Sequence, residues 1–316
     1  MSLSKHEKNF VWSLVAIVCS VQVCLSTALA QPAKQGAKPV PSTKLERAFA
    51  LIADGHVLEG RRMLIPFCHR PDTTALMYCY LALSYIDDPE MDSKMNNEIV
   101  NDLNMAIKMD PDTGEYYRYM AKYHNIQGQW DEALKYEDKA LKAKKPDRAA
   151  LKERSGTYAS LGRYKEALTD LDAYLAKEVS TQNTYFIKAT LLQELKRYDE
   201  AAKFYRLSIG LRNQDRTIIQ LARCLDLAGK YQEAISELNK VIKTTPLDDE
   251  SLVMRGRLHR KNKNLQLAVN DFSKALEIEP RAKIYTERAS LYRQLGQKAA
   301  EVKDLAKAKE LTSEPF

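Results

Sequence analysis

Histidine and cysteine are the side chains here best suited to metal binding or nucleophilic attack, and neither set has the spacing those reactions need. No Cys-x-x-Cys, His-Glu-x-x-His, Gly-x4-Gly-Lys-Ser/Thr or Gly-x-Gly-x-x-Gly occurs anywhere in the chain. His124 and His259 fall at the spacing that elsewhere carries Tyr158 and Tyr292, so they read as aromatic-like interior side chains with one polar tip. For His56 and His69, near the two ends of one helix, surface or helix-end roles suffice. Outside the first 30 residues the cysteines are Cys68, Cys79 and Cys224, and an odd count argues against a disulfide-built fold. Cys68 and Cys79 sit near facing ends of successive helices, which leaves both a bridge and two separate buried thiols open. Cys224, among Leu221, Leu225 and Leu227, reads as inert packing. No catalytic residue, metal ligand or cofactor is expected, and the chain is not expected to be an enzyme.

The elements that carry these residues repeat. Residues 215–246 and 249–280 write one helical hairpin twice, with Ala222 on Gly256, Ala234 on Ala268, Leu238 on Phe272 and Pro246 on Pro280. A period of about 34 residues is the mark of a solenoid. The same ruler finds a glycine or lysine before each second helix, at Gly55, Gly128, Gly162, Lys196, Gly229, Lys263 and Gly296. A left-handed C-cap is expected there, at some strain for the two lysines. A small residue follows, Ala133, Ala167, Ala201, Ala234 or Ala268, where antiparallel helices must approach closely. Gly60 takes that place in the first repeat, and Pro66 is expected to bend its last turns. In the second repeat, Asp87 to Asn97 reads as an insertion, with the helix resuming at Asn101. The last helix is expected to bury Val302, Leu305, Ala308 and Leu311 and to leave a polar outer face.

The pattern closely resembles the tetratricopeptide repeat family over nearly all of the chain beyond its leader. The residues that carry the resemblance are Leu221-Ala222, Tyr231, Ala234 and Pro246; Gly162, Tyr164 and Ala167; and Gly256, Ala268, Phe272, Ala275 and Pro280. It implies an all-α fold, a right-handed α-solenoid of about eight helix-turn-helix repeats, over residues 44–314. The repeats start near Pro41, Ala75, Gly114, Arg148, Gln182, Asp215, Asp249 and Ala282. The resemblance also implies a scaffold role, with first helices lining a concave groove. Outward positions on those helices are then candidate partner contacts: Arg118, Lys122 and Asn125; Lys152; Asn183, Phe186, Thr190 and Gln193. Further along come Arg216, Arg223 and Asp226; Arg257, Arg260 and Lys261; and Arg293. The later repeats thus offer a basic stripe, while Glu233, Glu237, Asp271, Glu277 and Glu279 belong to second helices. Arginines so spaced favour carboxylate-rich segments. The run Tyr116, Tyr117, Tyr119 and Tyr123 wraps more than one helix face, so some rings are expected to meet solvent or a partner.

Residues 1–30 read as a secretory leader, with Lys5 and Lys8 before an apolar run from Phe10 to Leu25 and Ala28-Leu29-Ala30 at the exit. An uncleaved membrane anchor is the competing reading. Residues 31–43, rich in proline, read as a flexible spacer. The net charge of +7 becomes +6 once Lys5, Lys8 and Glu7 are removed, a mild excess far from that of a nucleic-acid binder. The expectation is a secreted, periplasmic or envelope scaffold that binds protein or peptide partners, acidic ones in particular, in the groove. Membrane association would come only through an uncleaved leader. The alternative is a structural spacer at the cell envelope that acts by self-association.

Overall fold

The computed structural model describes residues 42–68, 70–88, 93–212 and 215–313. The expected leader, residues 31–41 of the expected spacer, and His69 lie outside the described residues. Those described form sixteen α-helices and no β-strand, beyond an isolated bridge between Thr113 and Lys145. The helices pair as eight hairpins. The first four are α1 (Ser42–Ala53) with α2 (Val57–Leu64), α3 (Ala75–Ile86) with α4 (Ser93–Met109), α5 (Gly114–Ile126) with α6 (Trp130–Lys142), and α7 (Ala149–Ser160) with α8 (Tyr164–Leu175). The last four are α9 (Gln182–Glu194) with α10 (Tyr198–Leu211), α11 (Asp215–Leu227) with α12 (Tyr231–Thr244), α13 (Asp249–Lys261) with α14 (Leu265–Ile278), and α15 (Ala282–Gln294) with α16 (Lys298–Ser313). The expected starts of the eight repeats fall on or within a residue of the starts of the odd-numbered helices. The chain forms two compact units divided after Val179, the first holding α1–α8 and the second α9–α16.

Inside each unit the stacking is that of an α-solenoid. Each even helix packs on its own odd helix and on the odd helix that follows. No hairpin this short can bury its apolar face alone, so neighbours bury it together. The five alanines at the close-approach position, Ala133, Ala167, Ala201, Ala234 and Ala268, are wholly buried. At Gly60 the approach is tighter still, because a Cβ there would sit 2.5 Å from Ile52 Cγ1. The turns have the expected geometry: φ is +70° at Gly128 and +75° at Gly162, and Lys196 (+59°) and Lys263 (+62°) adopt it despite their side chains.

Three local expectations are corrected and one is met. Helix α4 begins at Ser93 rather than Asn101, because Ile99, Leu103 and Ala106 continue one fully buried face. Pro66 does not bend a longer helix. α2 stops at Leu64, and Pro66 is the second residue of a separate 3-10 turn over Ile65–Phe67, where its missing N–H is harmless. The tyrosine run divides as expected between interior and partly open rings, since α5 packs on α3, α4, α6 and α7. Tyr116 and Tyr119 are buried, Tyr117 and Tyr123 half-buried, and the Tyr117 hydroxyl donates to the Pro111 carbonyl at 3.1 Å. Finally, α16 turns a different face inward. Asp304 and Ala308 are buried, while Val302 (59%) and Leu305 (39%) are exposed. The reason is an arginine on α15, described next.

Candidate partner-binding faces

Three arginines stand directly before the small residue of a first helix (Ser155, Gly256 and Ala289) and reach an aspartate sixteen residues on. Arg154 binds Asp170 through Nε at 2.6 Å and Nη2 at 2.8 Å, and its Nη1 reaches Asp138 of the preceding second helix at 2.5 Å. Arg255 holds Asp271 at 2.9 and 2.6 Å and Asn239 at 2.7 Å. Arg288 holds Asp304 at 2.8 and 2.8 Å and donates to Ser273 at 2.8 Å. Each planar guanidinium therefore ties three helices, and the bidentate geometry fixes their register. The Asp304 pair rotates α16 and expels Val302 and Leu305. Spacing of the form Arg-x15-Asp is present in the sequence as a signal, but of its aspartates only Asp271 is singled out, as one of the acids of the second helices.

In the first unit the expected contact residues are largely spoken for. The expectation that Arg118 and Lys122 project outward is corrected. Arg118 is 2% exposed, lies over the Tyr119 ring at 4.3 Å, and donates to Asp147 at 2.5 Å and Glu153 at 3.0 Å. Burial works against its charge, but Tyr119 and the carboxylates of Glu153, Asp147 and Glu115 hold its pKa well above the usual arginine value. Lys122, also buried, reaches Asp87 at 2.6 Å. Asn125 is half-buried and donates to Glu137 at 3.2 Å. Lys152 is half-buried on α7.

The second unit keeps more of its first-helix face accessible. On α9, Asn183, Phe186, Thr190 and Gln193 are half-buried. Phe186 meets Tyr205 edge-on at 5.6 Å, and the Tyr205 hydroxyl lies 3.3 Å from both Gln193 Oε1 and Thr190 Oγ1. This patch carries no basic residue at its partner-facing positions. On α11, Arg216 is exposed with no ion pair among the described residues, and Arg223 is exposed and paired with Glu250. On α13, Arg257 grips Glu287 at 2.6 and 2.9 Å, Arg260 lies 3.6 Å from the same carboxylate, and Lys261 reaches Asp226 at 2.5 Å. Arg293 on α15 is 71% exposed at its side chain and pairs with Glu301 at 2.6 Å.

The inner-basic, outer-acidic division is therefore corrected. Glu250, Glu287 and Asp226 stand on the first helices themselves, one repeat away from the bases they neutralise. Six bases on this face meet four carboxylates, which leaves a small excess and not a bare cationic stripe.

The three thiols hold interior places, His124 and His259 are partly buried, and His56 is exposed as expected. Cys68, Cys79 and Cys224 are buried thiols that form no disulfide, so the two-thiol alternative is the one the structure contains. Burial pushes the Cys68 thiol up to about 12 and Cys224 to about 11. His124 stacks on Tyr136 at 5.2 Å. His259 is largely buried, with its pKa lowered by burial. Among the described residues no group of three His, Cys, Asp or Glu could hold a metal, and no helix is long and apolar enough to cross a membrane.

Comparison with known proteins agrees with the hairpins. Residues 157–216 and 220–283 match one tetratricopeptide repeat family model, and residues 282–315 match a second. These stretches are tetratricopeptide repeats, and proteins built from such repeats bind other proteins or peptides. The chain is 23% identical over 189 residues to the DnaJ protein P58IPK homolog of Arabidopsis thaliana, covering 45% of this chain and 39% of the relative. It is 24% identical over 169 residues to the tetratricopeptide repeat and J domain-containing co-chaperone DNJ1 of Fusarium oxysporum f. sp. lycopersici, covering 51% and 32%. The match thus spans well under half of either relative. Among solved structures, YrrB, described as having an unusual peptide-binding site, aligns with a TM-score of 0.52 at 21% identity, over 58% of this chain and 94% of that one. A tetratricopeptide repeat protein from Parabacteroides merdae aligns at 0.52 and 20% identity, over 75% and 92%. At such identities the likeness shows the fold alone.

Proposed function

We propose that the protein is an exported interaction scaffold that binds a segment of a partner protein on the first-helix face of its second unit, α9 to α15. The observation that supports this most is the set of arginines at partner-facing positions of three successive hairpins. Arg216, Arg223 and Arg293 are exposed, and Arg257 and Arg260 are half-exposed. Their residual excess favours an acidic segment, whose carboxylates would exchange with Glu250 and Glu287 at the guanidinium groups. Phe186 and its uncharged neighbours on α9 give the adjoining stretch an apolar and amide-bearing contact. The name of YrrB mentions peptide binding and that of the Fusarium relative a co-chaperone, both roles in which repeats meet other chains. Export rests on the leader-like pattern of residues 1–30.

The test is an array of twelve-residue acidic, neutral and basic peptides probed with the full chain. Wild-type protein should retain acidic peptides, and the Arg223→Gln, Arg257→Gln, Arg260→Gln triple variant should lose at least tenfold in affinity with its helical circular dichroism unchanged. Equal retention by both proteins would remove this face from the account.

A further inference from the structure

The close-approach alanine of a second helix is followed four residues later by a large interior side chain: Leu171, Tyr205, Leu238 and Phe272, all buried. On α6 that position holds Glu137, which is wholly buried. A carboxylate in an apolar slot needs a cation or several donors. It has no cation. Arg118 of α5 is committed to Asp147 and Glu153, and Arg154 of α7 to Asp170 and Asp138. The groups that reach it are Asn125 Nδ2 from α5 at 3.2 Å and Thr157 Oγ1 from α7 at 2.6 Å, both on Oε1. Oε2 has no partner among the described residues.

The donors do not balance if the carboxyl is ionised. Thr157 Oγ1 lies 2.6 Å from Glu137 Oε1, 3.1 Å from Asn125 Oδ1 and 3.2 Å from the Glu153 carbonyl, and it has one proton for three acceptors. A proton on Glu137 Oε1 donates to Thr157 and releases the hydroxyl proton for Asn125 or the carbonyl. We propose that Glu137 is a proton-held clasp between the third and fourth hairpins, closed when its carboxyl is neutral and loosened when it ionises. The neighbouring charges act in the same sense overall: burial is the largest influence and Glu153 adds to it, against Thr157, Asn125 and Arg154, and the carboxyl is pushed up to about 8.

The direction follows from linkage. The unfolded carboxyl titrates near its ordinary value, roughly 4.3, so the folded clasp holds its proton more tightly. Its stabilising effect is complete below that value, falls as pH rises, and is gone above about 8. Within that window each pH unit should cost the clasp about tenfold in its closing equilibrium.

The test is amide hydrogen exchange on the full chain from pH 5.5 to 8, corrected for intrinsic rates, comparing α5–α7 with α11–α12 of the second unit. Wild-type protection over α5–α7 should fall by about tenfold per pH unit relative to the reference, and Glu137→Gln should flatten that slope. Glu137→Leu, which places the residue type found at 171 and 238, serves if the amide variant fails to fold. A 13C titration of the Glu137 carboxyl should place its midpoint above 7. A flat wild-type profile, a slope that survives both substitutions, or a midpoint near 4.3 would overturn the proposal.

Discussion

At the level of single residues, the molecule carries its strain in the turns and its risk in the buried charges. Lys196 and Lys263 hold a left-handed backbone that costs an L-residue about 1 kcal/mol or more. Lys196→Gly and Lys263→Gly should each raise the unfolding free energy measured in urea, by about 0.5–1 kcal/mol after the added entropy of glycine. A loss of stability would show that those side chains make contacts worth more than the strain. Cys68 is 6% exposed with a thiol near 12, so iodoacetamide at pH 8 should leave it unmodified in the folded chain and label it on unfolding. Rapid native labelling would contradict that placement. The left-handed turns were legible from the glycine ruler alone, because only a few residue types tolerate positive φ. Glu137 was not, since its meaning lies in a position that other hairpins fill with leucine or an aromatic ring.

At the level of elements, the three Arg-x15-Asp clamps decide how hairpins meet. Asp271 is 6% exposed at its side chain and Arg255 17%, so Asp271→Ala leaves a largely buried guanidinium without its partner. The expected cost in urea unfolding is about 3 kcal/mol, with most of it recovered in the double variant Arg255→Met, Asp271→Leu. If the double variant is as unstable as the single one, the clamp does more than balance its own charge. The exposed Arg223–Glu250 pair is a different case, worth under about 1 kcal/mol, so Arg223→Gln should barely move the midpoint. Helix positions were readable from period and turn residues. Which face each helix buries was less so, because an apolar count put Val302 and Leu305 inside while a bidentate pair pulls Asp304 there instead. The same limit misread α4, where the insertion was carried to Asn97 and the helix resumed at Asn101, although Ile99 and Leu103 already set the helical face.

Taken whole, the chain is two units of stacked hairpins with tetratricopeptide repeats over residues 157–216, 220–283 and 282–315, and nothing in its described residues assembles a metal site. Fold class was open to the sequence because a period repeated eight times averages out local noise. The charge balance of the partner-facing surface was not. It depends on cross-hairpin pairs such as Arg257–Glu287 and Lys261–Asp226, thirty and thirty-five residues apart, which no single-helix reading brings together. Because those pairs already neutralise most of the face, binding of an acidic peptide should release few counterions and weaken only modestly between 50 and 300 mM salt. The most direct measurement is the hydrogen-exchange footprint of the full chain bound to the tightest acidic peptide of the array. New protection should fall on α9, α11, α13 and α15. Protection confined to α10, α12 and α14, or no acidic peptide retained at all, would contradict the placement of the partner.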